Sequence, residues 1–544
     1  MVVNSRLHRA DPMTTTTRKT EQPELVTDRN RAAFYIRLYF DRVHPMLPFL
    51  DKPSFEATIS TSDFRSILQN SKPWACLYHA VLALGSQYAD GGSFEPGKGE
   101  SWRLFSVSLS GFSDLLVSPD SIITLQALTA MSAYGLSISG LAIQPVIMSE
   151  AARRAQVMSG HNFSGPSAHA FQKAFWTMYA IEKITSFHFG RSSTFVDSDI
   201  DCPIPVVPEA TIGEFNWFLQ LVRLARLFSR AYTSLFSVGV SGNSNPYYLD
   251  VLNQMDAELE AWQASLPDNG FRPGGSVRPQ AVSGTLARAF ALLMHYLYYS
   301  LLLTLSRTTL AYLTKSEDAD VASRRCSKMK TISTASRCIL ELTAMIEVEP
   351  YTITWILAGI PTTALFVLFD MVIHDPRHPD TASNLTLLDM VADHFCSLEH
   401  ASGGTLPGSL IAEFSKIARD YVDETQNSEP WMVLAPEVSA AVSTTVPQTA
   451  SFELEGGQQA VDTSAVTTGL SDGTTASQPV SSSPLHLEFG DFPFNTRFDQ
   501  VSTGAPIGTD VMGIFSYFLP DLDPMFYQGT PGQNELLFNG GSVT

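Results

Sequence analysis

Two uncharged stretches constrain the fold of this 544-residue chain more than any other feature. Eighteen residues without formal charge separate Arg288 from Arg307, and a second such run extends from Tyr351 to Phe369. Runs of that length lie near the lower limit for a helix that crosses a bilayer. They also suit helices buried on every side within a large α-helical core. The first run carries His295, three tyrosines, Ser300 and Thr304. The second is interrupted by Gly359 and Pro361 and leads into a polar loop, not a basic flank. Those polar interruptions favour core helices over membrane spans.

The surrounding sequence agrees. In the first helix, Phe34, Leu38, Phe40 and Val43 recur at helical spacing, with Arg31, Arg37, Asp41 and Arg42 turned elsewhere. Asp28 or a neighbour caps it and Pro45 ends it. Further helices are predicted near 73–89, 98–117, 121–136, 141–158 and 167–188. Later ones are predicted near 213–236, 247–265, 283–314, 318–347, 351–373, 383–398 and 407–425, with Gly/Pro/Asn/Ser clusters between them. Long alternating polar and β-branched runs are missing, so no large sheet is expected. No fixed period recurs, which argues against a regular solenoid. The predicted class is all-α: a large irregular domain of a dozen or more helices, followed by a disordered tail.

Composition divides the chain into a disordered segment over 1–28, the helical domain over 29–426 and a tail over 427–544. From Glu429 onward there are thirteen acidic residues and one basic residue, Arg497, among Ser, Thr, Gly, Pro and Ala. Such a segment buries too little apolar surface to offset the entropy of ordering it. Two clusters interleave aromatic and acidic residues. One holds Phe489, Phe492, Phe494 and Phe498; the other holds Phe515, Tyr517, Phe518, Leu519, Leu522 and Phe526. This is the composition of a transcriptional activation segment, whose carboxylates keep the rings solvated until a partner groove accepts them. A tail that docks on its own domain, or that has no role, fits the same composition.

With 54 acidic against 35 basic residues the chain carries a net charge of −19, the wrong sign for a phosphate-backbone binder as a whole. Its five cysteines, Cys76, Cys202, Cys326, Cys338 and Cys396, are scattered and form no C-x-x-C pair. A reducing compartment follows. The polar N-terminus has no apolar signal core. Enzyme signatures fail in turn: there is no H-E-x-x-H, G-x-S-x-G, Walker A or G-x-G-x-x-G motif. Asp197, Asp199 and Asp201 alternate as calcium ligands would. An EF-hand loop starting at Asp197 needs Gly and Glu where Cys202 and Pro208 stand. His44 reads as a hydrogen-bonding residue at a helix end, and His188 and His295 as core histidines. No catalytic, cofactor-binding or metal residues are assigned, and no enzyme is expected.

Several segments resemble the middle homology region of fungal zinc-binuclear-cluster regulators, the fungal-specific transcription factor domain. Residues 36–56 resemble its opening aromatic helix with a His-Pro and a Pro-Phe-Leu, and 125–162 resemble a helix pair with an Ala-Arg-x-Ala pattern. The most specific block is 174–205. There Trp176, Tyr179, Glu182 and Lys183 precede Gly190 and Arg191, followed by Asp197, Asp199, Ile200, Asp201, Pro203 and Pro205. Ser192 replaces the family's usual proline. Residues 295–310 resemble a later tyrosine- and leucine-rich helix. Read physically, Gly190 ends a helix, Arg191 clamps the nearby aspartates, and the prolines hold the exit extended.

The resemblance implies a nuclear regulator of RNA polymerase II transcription acting on a metabolic or secondary-metabolite gene set. It implies coactivator partners for the tail, a possible homodimer and no membrane partner. The helical domain would control exposure of the tail, dimerise, or sense a metabolite in an interhelical pocket. Family members bind zinc through an N-terminal six-cysteine cluster, and this sequence has no cysteine before Cys76. DNA is then reached through a module missing from the sequence or through a DNA-binding partner. A cofactor or corepressor of a related regulator is the main alternative. An all-α enzyme built on the three aspartates is a more remote one.

Overall fold

In the computed structural model, residues 28–427 are described, except Asn162, 275–281, 314–318 and Pro407. The tail and its anchors Phe489, Phe492, Phe494, Phe515, Phe518, Leu519, Leu522 and Phe526 lie outside the described residues. Described helices are α1 (Arg29–Leu38), α2 (Lys52–Ile59), α3 (Phe64–Asn70), α4 (Lys72–Ser86), α5 (Gly99–Ser110), α6 (Phe112–Val117), α7 (Ile122–Gly135) and α8 (Gln144–Ser159). They continue as α9 (Gly165–His188), α10 (Trp217–Ala231), α11 (Asn245–Ala264), α12 (Thr285–Tyr312), α13 (Ala319–Thr343), α14 (Ile360–His374), α15 (Thr381–Ala401) and α16 (Ser409–Asn427). Among the described residues strand is confined to a hairpin, β1 (Thr211–Ile212) with β2 (Phe215–Asn216). The class is all-α.

Four helices are wrapped on nearly every side. On α4 every residue from Cys76 to Ser86 is buried, on α7 every residue from Thr124 to Gly135, and on α9 every residue from Lys173 to Ser186. Most of α12 is likewise buried. A helix apolar all round needs neighbours all round, which is why these segments carry no solvent face. The two uncharged runs correspond to α12 and to Trp355–His374, which is α14 with the π-helical turn before it. Both are long and apolar enough to cross a membrane, and 72% of each apolar window is buried inside the fold. They are central helices here.

Local chemistry sets the boundaries. Asp28 caps α1 by accepting from the Asn30 N–H at 2.9 Å, and Asp51 caps α2 through Ser54 at 3.0 Å. The helix predicted over 98–117 is two helices, broken at Gly111. A Cβ there would lie 2.5 Å from Cys76 Sγ, so α4 crosses at the break. Two short helices, α2 and α3, fill the interval between Pro45 and Lys72 where the apolar periodicity is too brief to register.

Candidate functional site

Helix α9 organises the site because its two faces do different work. It ends in a Schellman turn: the Gly190 N–H donates to the Phe187 carbonyl at 3.1 Å and the Arg191 N–H to the Ser186 carbonyl at 2.8 Å. Gly190 sits at φ 62°, left-handed backbone that suits glycine. The chain then reverses, and residues 191–209 run back along the helix.

One face of α9 fastens this loop from end to end. Glu182 accepts from the Ser193 hydroxyl and the Thr194 N–H, each at 2.7 Å. Lys183 donates to the Phe195 carbonyl at 2.9 Å and pairs with Asp197 at 3.3 Å. Tyr179 donates to Asp197 at 2.8 Å, and the Trp176 indole N–H donates to the Pro203 carbonyl at 3.0 Å. Lys173 closes the far end on Glu209, which also meets His44 at 3.2 Å. Positions 173, 176, 179 and 182/183 share a helix face, so the Trp-x-x-Tyr-x-x-Glu-Lys spacing is a row of fasteners. Burial pushes the Glu182 carboxyl above its ordinary value, opposed by the Thr194 and Ser193 hydrogen bonds. Burial also opposes ionisation of Glu209. Hydrogen bonds from His44 and Lys173 nevertheless hold that carboxyl well below the usual range.

The aspartates behave differently from one another. Asp197, though partly exposed, is held by several partners and also accepts from the Ser229 hydroxyl on α10. Asp199 and Asp201 are exposed, and Asp199 accepts from Ser198 at 3.1 Å. Spacing along the chain pointed to Arg191 as the clamping cation; at Asp197 that cation is Lys183. The loop's reversal explains this pairing, because it returns residue 197 to the level of 179–183 while Arg191 stays at the helix end. There its guanidinium lies 5.2 Å from the centre of the Phe189 ring. Among the described residues no three His, Cys, Asp or Glu side chains gather as a metal site.

The other face of α9, with Ala180, Ile181, Ile184 and Thr185, borders an interhelical cavity of about 560 Å³. Further walls come from Val43 and Met46 after α1, Leu84 of α4, Leu136 after α7, Trp217 and Leu221 of α10, and Leu292, Leu293 and Tyr296 of α12. Segment 344–354 covers it. Tyr351 stacks on Tyr88 with ring centres 4.1 Å apart, and the Gln87 amide donates to Ser137 at 2.8 Å and to the Pro350 carbonyl at 3.2 Å. The Thr354 N–H donates to the Leu136 carbonyl at 3.0 Å. Behind one wall Trp355 stacks on His188 at 4.6 Å. His188 shares a hydrogen bond with Ser300 at 3.1 Å, and burial lowers its pKa to about 4, so the ring stays neutral. His295 is held neutral in the same way, also at about 4.

An apolar hollow of this size with polar groups at its edge suits binding of a small molecule. No sequence motif announced it, because its lining is drawn from distant segments. The uncharged run of α12 and the Trp355 stretch were the available signals.

The molecule is thus an all-helical domain in which a loop-clasped central helix walls an apolar chamber. Residues 36–264 match the family model described as the fungal specific transcription factor domain. The "ABC-transporter-regulating transcription factor" of Aspergillus oryzae is 22% identical over 430 residues, covering 73% of this chain and 48% of that protein. The "Fusaridione A cluster transcription factor" of Fusarium heterosporum is 22% identical over 417 residues, covering 72% of this chain and 77% of that protein. The "Negative regulator of pleiotropic drug resistance" of Candida glabrata is 24% identical over 190 residues, covering 31% of this chain and 19% of that protein. The chain spans about half the length of the first of these relatives. No solved structure matches significantly.

Proposed function

We propose that this protein is a nuclear regulator of RNA polymerase II transcription whose helical domain senses a small molecule and whose acidic-aromatic tail recruits coactivators. The observation that carries the reading is the transcription-factor domain over residues 36–264, which supplies α4, α7, α9 and α10, four of the cavity's walls. The controlled genes encode small-molecule export or biosynthesis. Support comes from the printed names of the relatives, which concern an ABC transporter, a metabolite cluster and drug resistance. DNA is reached through a zinc-cluster module or a DNA-binding partner.

The mechanism is a population shift. A ligand that binds one arrangement of the 344–354 cover better than another biases the domain by that difference in affinity. The domain then exposes or shields the tail. Fusing the full chain to a heterologous DNA-binding domain upstream of a reporter tests this. Activation is expected, and changing Phe515, Phe518, Leu519, Leu522 and Phe526 together to alanine abolishes it. A silent fusion that accumulates in the nucleus overturns the activator reading.

A further inference from the structure

We infer that the cavity takes an amphipathic anion: an apolar ring or chain system bearing one carboxylate or sulfonate group, held between Arg42 and Arg288. The inference rests on the ligand-sensing reading above and adds the class of ligand.

The interior is aliphatic, with Leu84, Leu136, Ile181, Leu221 and Leu293 among its lining, and its volume of about 560 Å³ is that of a small-molecule site. Charge is confined to the rim, where Asp41, Arg42, Arg288 and Glu347 reach the cavity. The carboxylates and guanidiniums there are not equivalent. Glu347 is engaged by the Tyr351 hydroxyl at 2.5 Å, which leaves Asp41, exposed like the two arginines, as the carboxylate at this mouth with no side-chain partner among the described residues. Arg42, from the turn after α1, and Arg288, from the first turn of α12, have no side-chain hydrogen bond or ion pair among the described residues.

A third positive feature shares this mouth. Thr285, Leu286 and Arg288 place the start of α12 against the cavity. Gly284 provides no side-chain cap, and the first turn holds no acidic residue. Among the described residues the positive end of this 28-residue helix is therefore uncapped beside the cavity that Arg42 and Arg288 also line. Arginine pairs with planar anions through two parallel hydrogen bonds. Two guanidiniums beside an open helix start outweigh the single free carboxylate of Asp41, and this local positive excess selects for an anion.

Two fluorescent probes with the same ring system separate the possibilities on the purified full chain. Anilinonaphthalene sulfonate carries the anion, and phenylnaphthylamine is its neutral counterpart. Both are expected to bind, and Leu293→Trp, which fills the cavity, is expected to weaken both by about tenfold or more. The Arg42→Gln/Arg288→Gln double variant is expected to weaken the sulfonate about tenfold and leave the neutral probe unchanged. Both arginines are exposed and unpaired, so this variant retains the wild-type circular dichroism. If it binds the sulfonate as tightly as wild type while Leu293→Trp still blocks both probes, the anion inference fails and the sensing cavity stands. If Leu293→Trp affects neither probe, the ligand-sensing reading itself fails.

Discussion

The two faces of α9 solve opposite problems. On the clasp face, Lys173, Trp176, Tyr179, Glu182 and Lys183 each meet a defined atom of the returning loop. On the cavity face, Ala180, Ile181 and Ile184 border about 560 Å³ of open space. A close-packed polar seam tolerates little change, because removing one member leaves its partner buried and unpaired. An apolar hollow has slack to be filled. Fixing the first face holds the helix still, so that the second can present a stable wall to a ligand.

The largest effect should fall on the clasp. Lys183→Ala removes the charged donor to the buried Phe195 carbonyl and empties the space of its stem, a combined cost of about 3–5 kcal/mol. Lys183→Met, keeping the stem without the charge, recovers only the packing part. Denaturant midpoints of the two variants check this, and equal midpoints for wild type and Lys183→Ala would reduce the clasp to decoration.

Acid should instead attack the cavity wall. His188 is neutral in the fold with a pKa of about 4, whereas an unfolded histidine titrates near 6.5. Between those values the unfolded chain binds a proton that the folded chain refuses. The stabilisation is therefore complete above about pH 6.5 and is lost as pH falls towards 4, by at most roughly 3 kcal/mol. His188→Phe keeps a ring against Trp355 and carries no proton. Its stability should fall less steeply than that of wild type across this window.

The smallest effect sharpens the contrast within one helix. Ala180→Leu points added bulk at the cavity and should cost less than about 1 kcal/mol. The same enlargement at Ala174, fully buried on α9, should cost about 1–3 kcal/mol. Thermal denaturation of the pair distinguishes slack from packed surroundings, and a reversed order would contradict the cavity.

What the sequence disclosed follows the same division. Helical class, the central position of α12 and the Trp176-to-Lys183 block were legible, because each is written in one contiguous segment with a fixed spacing. The pairing of Lys183 with Asp197 was not, since it depends on the loop turning back by two helical turns. The break at Gly111 was hidden for a similar reason: it answers to Cys76, thirty-five residues earlier. The cavity was least legible of all. It is a remainder, defined by what Leu84, Leu221 and Leu293 fail to fill, and no local pattern encodes a remainder.

Two of the clasp's fasteners, Trp176 and Lys183, grip the carbonyl oxygens of Pro203 and Phe195. Every amino acid offers that oxygen. At those two points recognition is asymmetric: the helix must keep its particular side chains, while the loop is read by its path; Ser193, Asp197 and Glu209, by contrast, are held through their own side chains. Diversity accumulated at the exposed positions around them, such as Ser192, Ser198, Asp201 and Val206, could then repaint the outside of the molecule without disturbing the chamber within.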